Sequence, residues 1–153
     1  MAFMSTIDMI GSGLTAQQLR LDIVAENITN AQTTRTENDG GAYRRKMVVF
    51  RAQDGRDSFR TQMARAQAGL VAGPRNAKGG VRVTQIVEDD SALRRVFDPS
   101  HPDADEQGYV ELPNVDTVKE MTDAMAATQA YAANVTAFNT LKSVIAKGLE
   151  IGR

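Results

Sequence analysis

The stretch that decides the fold is IDMIGSGLTAQQLRLDIVAENITNA, residues 7–31. Its apolar residues return every seven positions, at Ile7, Leu14, Leu21 and Ile28, and the offset positions hold Ile10, Val24 and Ala31. A seam this narrow is typical of a helix that packs on other helices, because a helix on a broad core shows a wider apolar face. The pattern therefore predicts a long N-terminal helix with helical partners.

A similar stripe occupies the other end of the chain. It comprises Val118, Met121, Met125, Ala132, Val135, Phe138, Leu141 and Ile145. The step shortens from Val135 through Phe138 to Leu141, so a two-stranded coiled coil would lose its seam there. A helix packed among several neighbours fits this spacing better. Both stripes lie at termini, where an unpartnered chain frays, and we expect another molecule to complete them.

The composition excludes several classes of function. The 153 residues carry a formal net charge of −1, which gives neither the basic surface of a nucleic-acid-binding protein nor a polyacidic tail. Cysteine is absent, which excludes disulfides, thiolate catalysis and zinc sites built on cysteine. We expect no nucleic-acid partner and no cofactor.

The sequence also predicts neither membrane insertion nor a cleaved leader. The longest strictly apolar run, residues 47–50, is far short of the roughly 20 residues that a membrane helix needs. The first basic residue is Arg20, and Asp8 interrupts the only apolar stretch near the start, unlike a signal peptide. We expect a soluble protein that, if it leaves the cytoplasm, uses a route that reads no such signal.

Local signals divide the chain into two helices and a middle region of strands. Ser5 and Asp8 form a capping-box pattern, which predicts a first helix from Ser5 to about Asn30. Asn114 is the predicted N-cap of a second helix, which continues to about Leu149. Between the helices, four segments have the composition of strands and are expected to form one small sheet. They are residues 42–50, 81–89, 93–97 and 108–112.

The predicted fold class is α+β, with terminal helices that pair in a coiled-coil-like domain and a small, mainly antiparallel β region between them. We divide the chain into an N-terminal assembly helix (1–33), a β-rich middle region (34–113) and a C-terminal assembly helix (114–153). Within the middle region, the polar, glycine-flanked segment at about 52–80 is predicted to be a mobile loop.

No residue pattern supports catalysis or metal binding. His101 is the only histidine and has no second histidine or cysteine with which to share a metal. Residues 103–108 match three positions of an EF-hand loop, but Gln107 and Asn114 stand where calcium ligands are needed. Turn formation explains these aspartates more simply. We therefore expect a protein that is not an enzyme.

Two sets of polar residues are candidates for contacts. Residues 44–46, Arg-Arg-Lys, form the only basic cluster, which we interpret as part of an edge strand or a subunit contact. Asparagines in a helical seam either fix its register or simply face water, and both interpretations stay open. These asparagines are Asn27, Asn30, Asn134 and Asn139.

Three stretches of the chain resemble a known protein family. LTAQQLRLDIVAENITNAQTT, residues 14–34, resembles the N-terminal signature A-x-N-x-A-N-x-x-T of flagellar rod and hook axial proteins, with Thr29 where alanine is common. Residues 114–153 resemble the matching C-terminal helix, and residues 81–115 resemble the proximal rod members of the family. The resemblance covers nearly the whole chain except residues 52–79, which follow no pattern of the family.

The resemblance implies a structural subunit that the flagellar type III apparatus exports without a cleaved signal peptide. In this family the terminal helices pair as the inner tube of the periplasmic rod, which encloses the export channel and transmits torque to the hook. The implied partners are copies of the chain, other rod proteins of the FlgB, FlgF, FlgG and FliE type, and the export apparatus. A free coiled-coil adaptor, or another axial subunit, is the alternative.

On this interpretation the two stripes and two asparagines form the assembly interface. On the first helix the predicted interface residues are Ile7, Ile10, Leu14, Leu21, Val24, Asn27, Ile28 and Asn30. On the second they are Val118, Met121, Met125, Ala132, Val135, Phe138, Leu141 and Ile145.

Overall fold

The structure is a computed structural model that describes residues 2–37, 40–53, 63, 67 and 79–151. It confirms the α+β class, with helices near both ends and antiparallel strands between them. In chain order the elements are α1 (Ala2–Thr29), β1 (Lys46–Ala52), β2 (Val81–Glu88), β3 (Arg94–Phe97), β4 (Tyr109–Leu112) and α2 (Thr117–Ile151).

The two helices pack side by side in opposite directions. Contacts that fix this direction are Gly13 with Asn134, Arg20 with Asp123, and Asn27 with Glu120. Residue numbers fall along α2 as they rise along α1. At 1.5 Å per residue, the 35 residues of α2 span about 52 Å and the 28 of α1 about 42 Å. The end of α2 therefore extends past the beginning of α1.

The row of α1 that packs on α2 is not the row with the seven-residue repeat. Ala16, Ile23 and Val24 are buried, and Ala127 of α2 is fully buried with them. The repeat row is only half-buried and consists of Ile7, Leu14, Leu21 and Ile28. Small residues at the contact let the helix axes approach. The repeat row thus keeps surface that α2 does not cover.

Strands β1 and β2 form an antiparallel pair that lies along α1. Lys46 pairs with Glu88 at one end and Ala52 with Val81 at the other, with an irregular step after Val49. The amide of Val81 donates to Ser12 Oγ at 3.1 Å, and Lys46 is held at Asn27 fifteen residues further along α1. The strand pair therefore follows the helix for several turns.

Strands β3 and β4 form a second, separate antiparallel pair, from Arg94 opposite Leu112 to Phe97 opposite Tyr109. The four strands therefore form two sheets of two strands, and the expectation of one four-stranded sheet is wrong. The predicted first strand was also too long. Tyr43 and Arg45 lie outside β1, and their side chains bond to Asn27 and Glu120 of the two helices.

Two predicted helix caps are wrong. Helix α1 begins at Ala2, so Ser5 lies inside it. Helix α2 begins at Thr117, and the capping side chain is Asp116, which accepts from the amides of Val118 and Lys119 at 3.0 and 3.4 Å. An acidic cap suits the positive end of the helix dipole.

The predicted mobile loop at 52–80 lies mostly outside the described residues. At its edges, Ala52 belongs to β1, and the amide of Gln53 donates to the Gly80 carbonyl at 2.8 Å. The predicted boundaries between the helical segments and the middle region, after residues 33 and 113, stay predictions.

Neither helix, over its described residues, combines the length and apolar character that spanning a membrane requires.

Candidate assembly surface

A buried asparagine joins the two helices to the first strand. Asn27 Nδ2 donates to the Lys46 carbonyl at 2.9 Å and to Glu120 Oε2 at 3.0 Å. Its Oδ1 accepts from the Lys46 amide and from the Tyr43 hydroxyl, both at 2.9 Å. The side chain is 1% exposed, so all four bonds form away from water.

Glu120 is the acidic centre of this junction. The residue is fully buried, and Arg45 Nε donates to its Oε1 at 2.6 Å. Arg45 also lies 3.8 Å from the Asp89 carboxylate, just beyond β2. A buried carboxylate needs a paired charge and hydrogen bonds, and here it receives both.

Asn114 attaches the second β region to the same junction. Its Oδ1 accepts from the Arg45 amide at 2.8 Å, and its Nδ2 donates to the Asp89 carbonyl at 2.9 Å and to Ser91 Oγ at 2.9 Å. These bonds explain why Asn114 does not cap α2. We call the set of Asn27, Tyr43, Arg45, Asn114 and Glu120 the polar junction.

The environment of Tyr43 is both apolar and acidic. Burial raises the pKa of its hydroxyl well above the usual range, and the nearby carboxylates of Glu26, Glu120 and Glu88 raise it further. The hydroxyl therefore stays protonated and donates to Asn27. Lys46, 5.4 Å above the Tyr43 ring, pairs with Glu26 at 2.5 Å.

The junction involves residues for which contacts were predicted from the sequence. Arg45 and Lys46 form ion pairs inside the chain, and Lys46 begins β1, an edge strand of its two-stranded sheet; a subunit contact of the basic cluster stays a prediction. Asn27 and Val24 are almost fully buried within the single chain, and a contact of either residue with a neighbouring subunit stays a prediction. Asn30 bonds locally, to the Glu26 carbonyl at 3.0 Å.

On α2, by contrast, predicted interface residues point away from α1. Val118, Met121 and Met125 are 71%, 57% and 73% exposed. At 100° per residue they lie roughly 150° around α2 from the side that packs on α1. We call these three residues the outer stripe. An apolar row that is so exposed is a candidate interaction surface.

The other predicted interface residues are at least partly exposed. Ala132 and Phe138 are exposed, and Val135, Leu141 and Ile145 are half-buried, as are Ile10 of α1 and Asn30 just after it. Helix α2 therefore has two apolar sides, one toward α1 and one outward. This arrangement agrees with the expectation of a helix among several neighbours, although the residues of any contact between subunits stay a prediction.

A groove lies between α1, β1 and α2. Its volume is about 640 Å3, and its apolar lining comes from all three elements. The apolar residues that line it are Ile23, Val24, Met47, Val48, Phe50, Val118 and Ala126. Arg20 and Asp123, which form an ion pair, also line it. We call this the β1–α2 groove.

The acidic loop between β3 and β4 uses its carboxylates for turns. Hydrogen bonds from Ser100 lower the pKa of Asp98, and the Tyr109 amide lowers that of Asp105. Asp103 accepts from Thr34 Oγ1 at 2.7 Å and so ties the loop to the segment after α1. Across the described residues, His, Asp and Glu side chains do not gather into a group of three that could hold a metal ion.

Sequence reasoning missed the polar junction. Its partners are separated by up to 93 positions, and no periodic pattern connects them. One signal was present: Glu120 interrupts the side of α2 that carries Ala127 and Leu141. A carboxylate on an apolar side of a helix predicts a buried basic partner.

Two family profiles match the helical ends of the chain. Residues 7–35 match the profile described as flagella basal body rod protein. Residues 106–151 match the profile described as flagellar basal body rod FlgEFG protein C-terminal. The matched segments contain most of α1, and β4 with α2.

Full-length relatives cover the middle region as well. The FlgC flagellar basal-body rod protein of Bacillus subtilis is 43% identical over 151 residues, which are 97% of each chain. The FlgC protein of Borreliella burgdorferi is 40% identical over 99% of this chain and 98% of its own. That of Escherichia coli O6:H1 is 39% identical over the full length of both. The chain belongs to the FlgC family of flagellar basal-body rod proteins.

Proposed function

We propose that this chain polymerises through its two terminal helices into the wall of the flagellar rod. As a FlgC family member it is a structural subunit of the basal body. The observation that carries the proposal is the outer stripe, because a single chain leaves these three large apolar side chains more than half exposed. Covering apolar surface stabilises an assembly by about 25 cal/mol per Å2.

The helix pair suits a wall element in a second way. The half-buried repeat row of α1 and the outer stripe of α2 are distinct surfaces, so one chain has more than one apolar face for neighbours. Contacts between different faces do not close into a dimer and generate open helical assemblies. In the proposed rod these contacts enclose the export channel and transmit torque.

The partners and the route to the rod are part of the same proposal. Neighbours are copies of this chain and other rod proteins of the FlgB, FlgF, FlgG and FliE type. The flagellar export apparatus delivers the chain to the periplasm. We propose no catalytic activity, cofactor, nucleic-acid contact or membrane insertion.

Complementation of a motile bacterium that lacks its own FlgC protein tests this function. We expect the unchanged chain to restore rods in purified basal bodies and swimming, and Met125→Asp to restore neither. Circular dichroism should show that Met125→Asp keeps its helices, because the replaced side chain is 73% exposed. Gln107→Asp adds the same charge on an exposed loop and should behave like the unchanged chain. Normal rods with Met125→Asp would contradict the proposal.

A further inference from the structure

We propose that the outer stripe of one copy seats in the β1–α2 groove of the next copy. This inference rests on the proposed function, because it names the contact through which neighbouring copies join. Both surfaces of that contact belong to copies of this chain. No other molecule is needed to fill the groove along a run of copies.

The outer stripe is a row of apolar side chains that project from one side of α2. Val118, Met121 and Met125 stand at i, i+3 and i+7, which places them on one side of α2 over about two turns. Methionine has three rotatable bonds and fits irregular apolar surfaces. The row therefore adapts to a groove whose lining comes from three different elements.

The groove has a largely apolar lining, and the charges of its charged side chains are already neutralised. The charged side chains at or beside it are paired within the chain. These pairs are Arg20 with Asp123, Arg45 with Glu120, Lys46 with Glu26, and Lys119 with Asp116. An uncharged occupant fits such a groove better than a charged one, because burying an unpaired charge is costly. The outer stripe carries no charge.

The two surfaces also match in length and level. The stripe spans residues 118–125 of α2, and the part of α2 that lines the groove spans residues 118–126. Each is about 11–12 Å long at 1.5 Å per residue. Because both lie at the same level of α2, a neighbour needs only a small axial shift to insert its stripe.

The contact repeats from copy to copy. Stripe and groove share Val118 at their common edge, but Met121 and Met125 lie outside the groove lining, so a copy that inserts its stripe still presents its own groove to a third copy. A contact of this kind is heterologous and extends into an open assembly rather than a closed pair. A second copy of the chain is therefore the occupant that the geometry favours.

Disulfide capture tests the contact, because the chain contains no cysteine. Met125→Cys places one thiol on the stripe, and Met47→Cys places one in the groove. The two variants, with different tags, are expressed together in the complemented bacterium, and isolated basal bodies are oxidised. Met121→Cys with Val48→Cys provides a second pair. Met125→Cys with Phe97→Cys is the control, because Phe97 is 63% exposed on β3, outside the groove.

We expect a disulfide-linked dimer that carries both tags in each stripe–groove pair. This dimer should be absent when either variant is expressed alone and absent from the control pair. Variants that enter basal bodies without forming this dimer, or an equally strong control dimer, would overturn the inference. A photo-crosslinker at position 125 that captures only a different rod protein would overturn it too. An unchanged chain that never enters basal bodies would instead contradict the proposed function.

Discussion

Asn27 of α1 donates a hydrogen bond of 3.0 Å to the Glu120 carboxylate of α2, and water reaches neither side chain. The same amide holds both backbone groups of Lys46, so helix pairing and strand docking share one residue. Burial makes these bonds costly to lose, because the remaining polar groups would lack partners. The polar junction therefore fixes how the helix pair is joined to the β region.

Asn27→Leu should destabilise the folded chain by about 3 kcal/mol, since it leaves several buried polar groups without partners. Urea unfolding monitored by circular dichroism measures the change. Asn139→Leu, at an exposed position on α2, should shift stability by less than about 0.5 kcal/mol. Equal effects of the two substitutions would show that the junction does not carry the proposed stability.

Stability should fall steeply above about pH 10 because of Tyr43. Its pKa is raised in the fold, so above the ordinary tyrosine pKa of about 10 the unfolded chain loses a proton that the folded chain keeps. The contribution is fully present below that pH, and the free energy of unfolding then drops by up to about 1.4 kcal/mol per pH unit.

Chemical denaturation between pH 8 and 11 measures this slope. Tyr43→Phe, which retains the ring and lacks the hydroxyl, should be less stable at pH 8 and should show a shallower decline. Tyr131→Phe is the matched control on α2. A Tyr43→Phe slope identical to that of the unchanged chain would contradict the assignment.

Two glycines in α1 should respond oppositely to alanine. A Cβ at Gly11 meets nothing within 4 Å, so Gly11→Ala should stabilise the chain by about 0.5–1 kcal/mol through helix propensity. A Cβ at Gly13 would stand 3.1 Å from Asn134 Nδ2, where α2 packs closely. Gly13→Ala should therefore gain less or destabilise the chain. Thermal melts of both variants test the pairing of the helices, and an equal gain would contradict it.

The half-buried rows of the helices should matter more for assembly than for folding. Leu21→Asp and Leu141→Asp should each prevent rod formation in the complemented bacterium. Amide hydrogen exchange should show that β1 and β2 stay protected in both variants, since neither side chain belongs to the polar junction. Motile cells that carry either variant would contradict a role for these rows in assembly.

The sequence predicted the elements better than their connections. Periodicity alone predicted both helices, because the spacing of apolar residues indicates which positions are buried against a neighbour. It did not identify the row of α1 that meets α2. Besides Ile23 and Val24, that row contains Gly13, Ala16 and Arg20, which are not large apolar residues. Small and charged residues give no periodic apolar signal, yet they set how closely the two helices approach.

The β region and the caps depended on long-range partners. Asn114 and Asp116 are both good capping residues, and only the bonds of Asn114 to Arg45 and Asp89 decide between them. In the same way, β1 begins only at Lys46, because the side chains of Tyr43 and Arg45 bond to the two helices. Local propensity contains no information about such choices.

Electron cryo-microscopy of intact basal bodies that contain this chain tests the central claim most directly. The accessible fractions of Val118, Met121 and Met125 can be compared with their 71%, 57% and 73% in the single chain. We predict that all three fall into the buried range, because the groove of an adjacent copy covers them. A rod in which these side chains remain exposed to solvent would contradict the account.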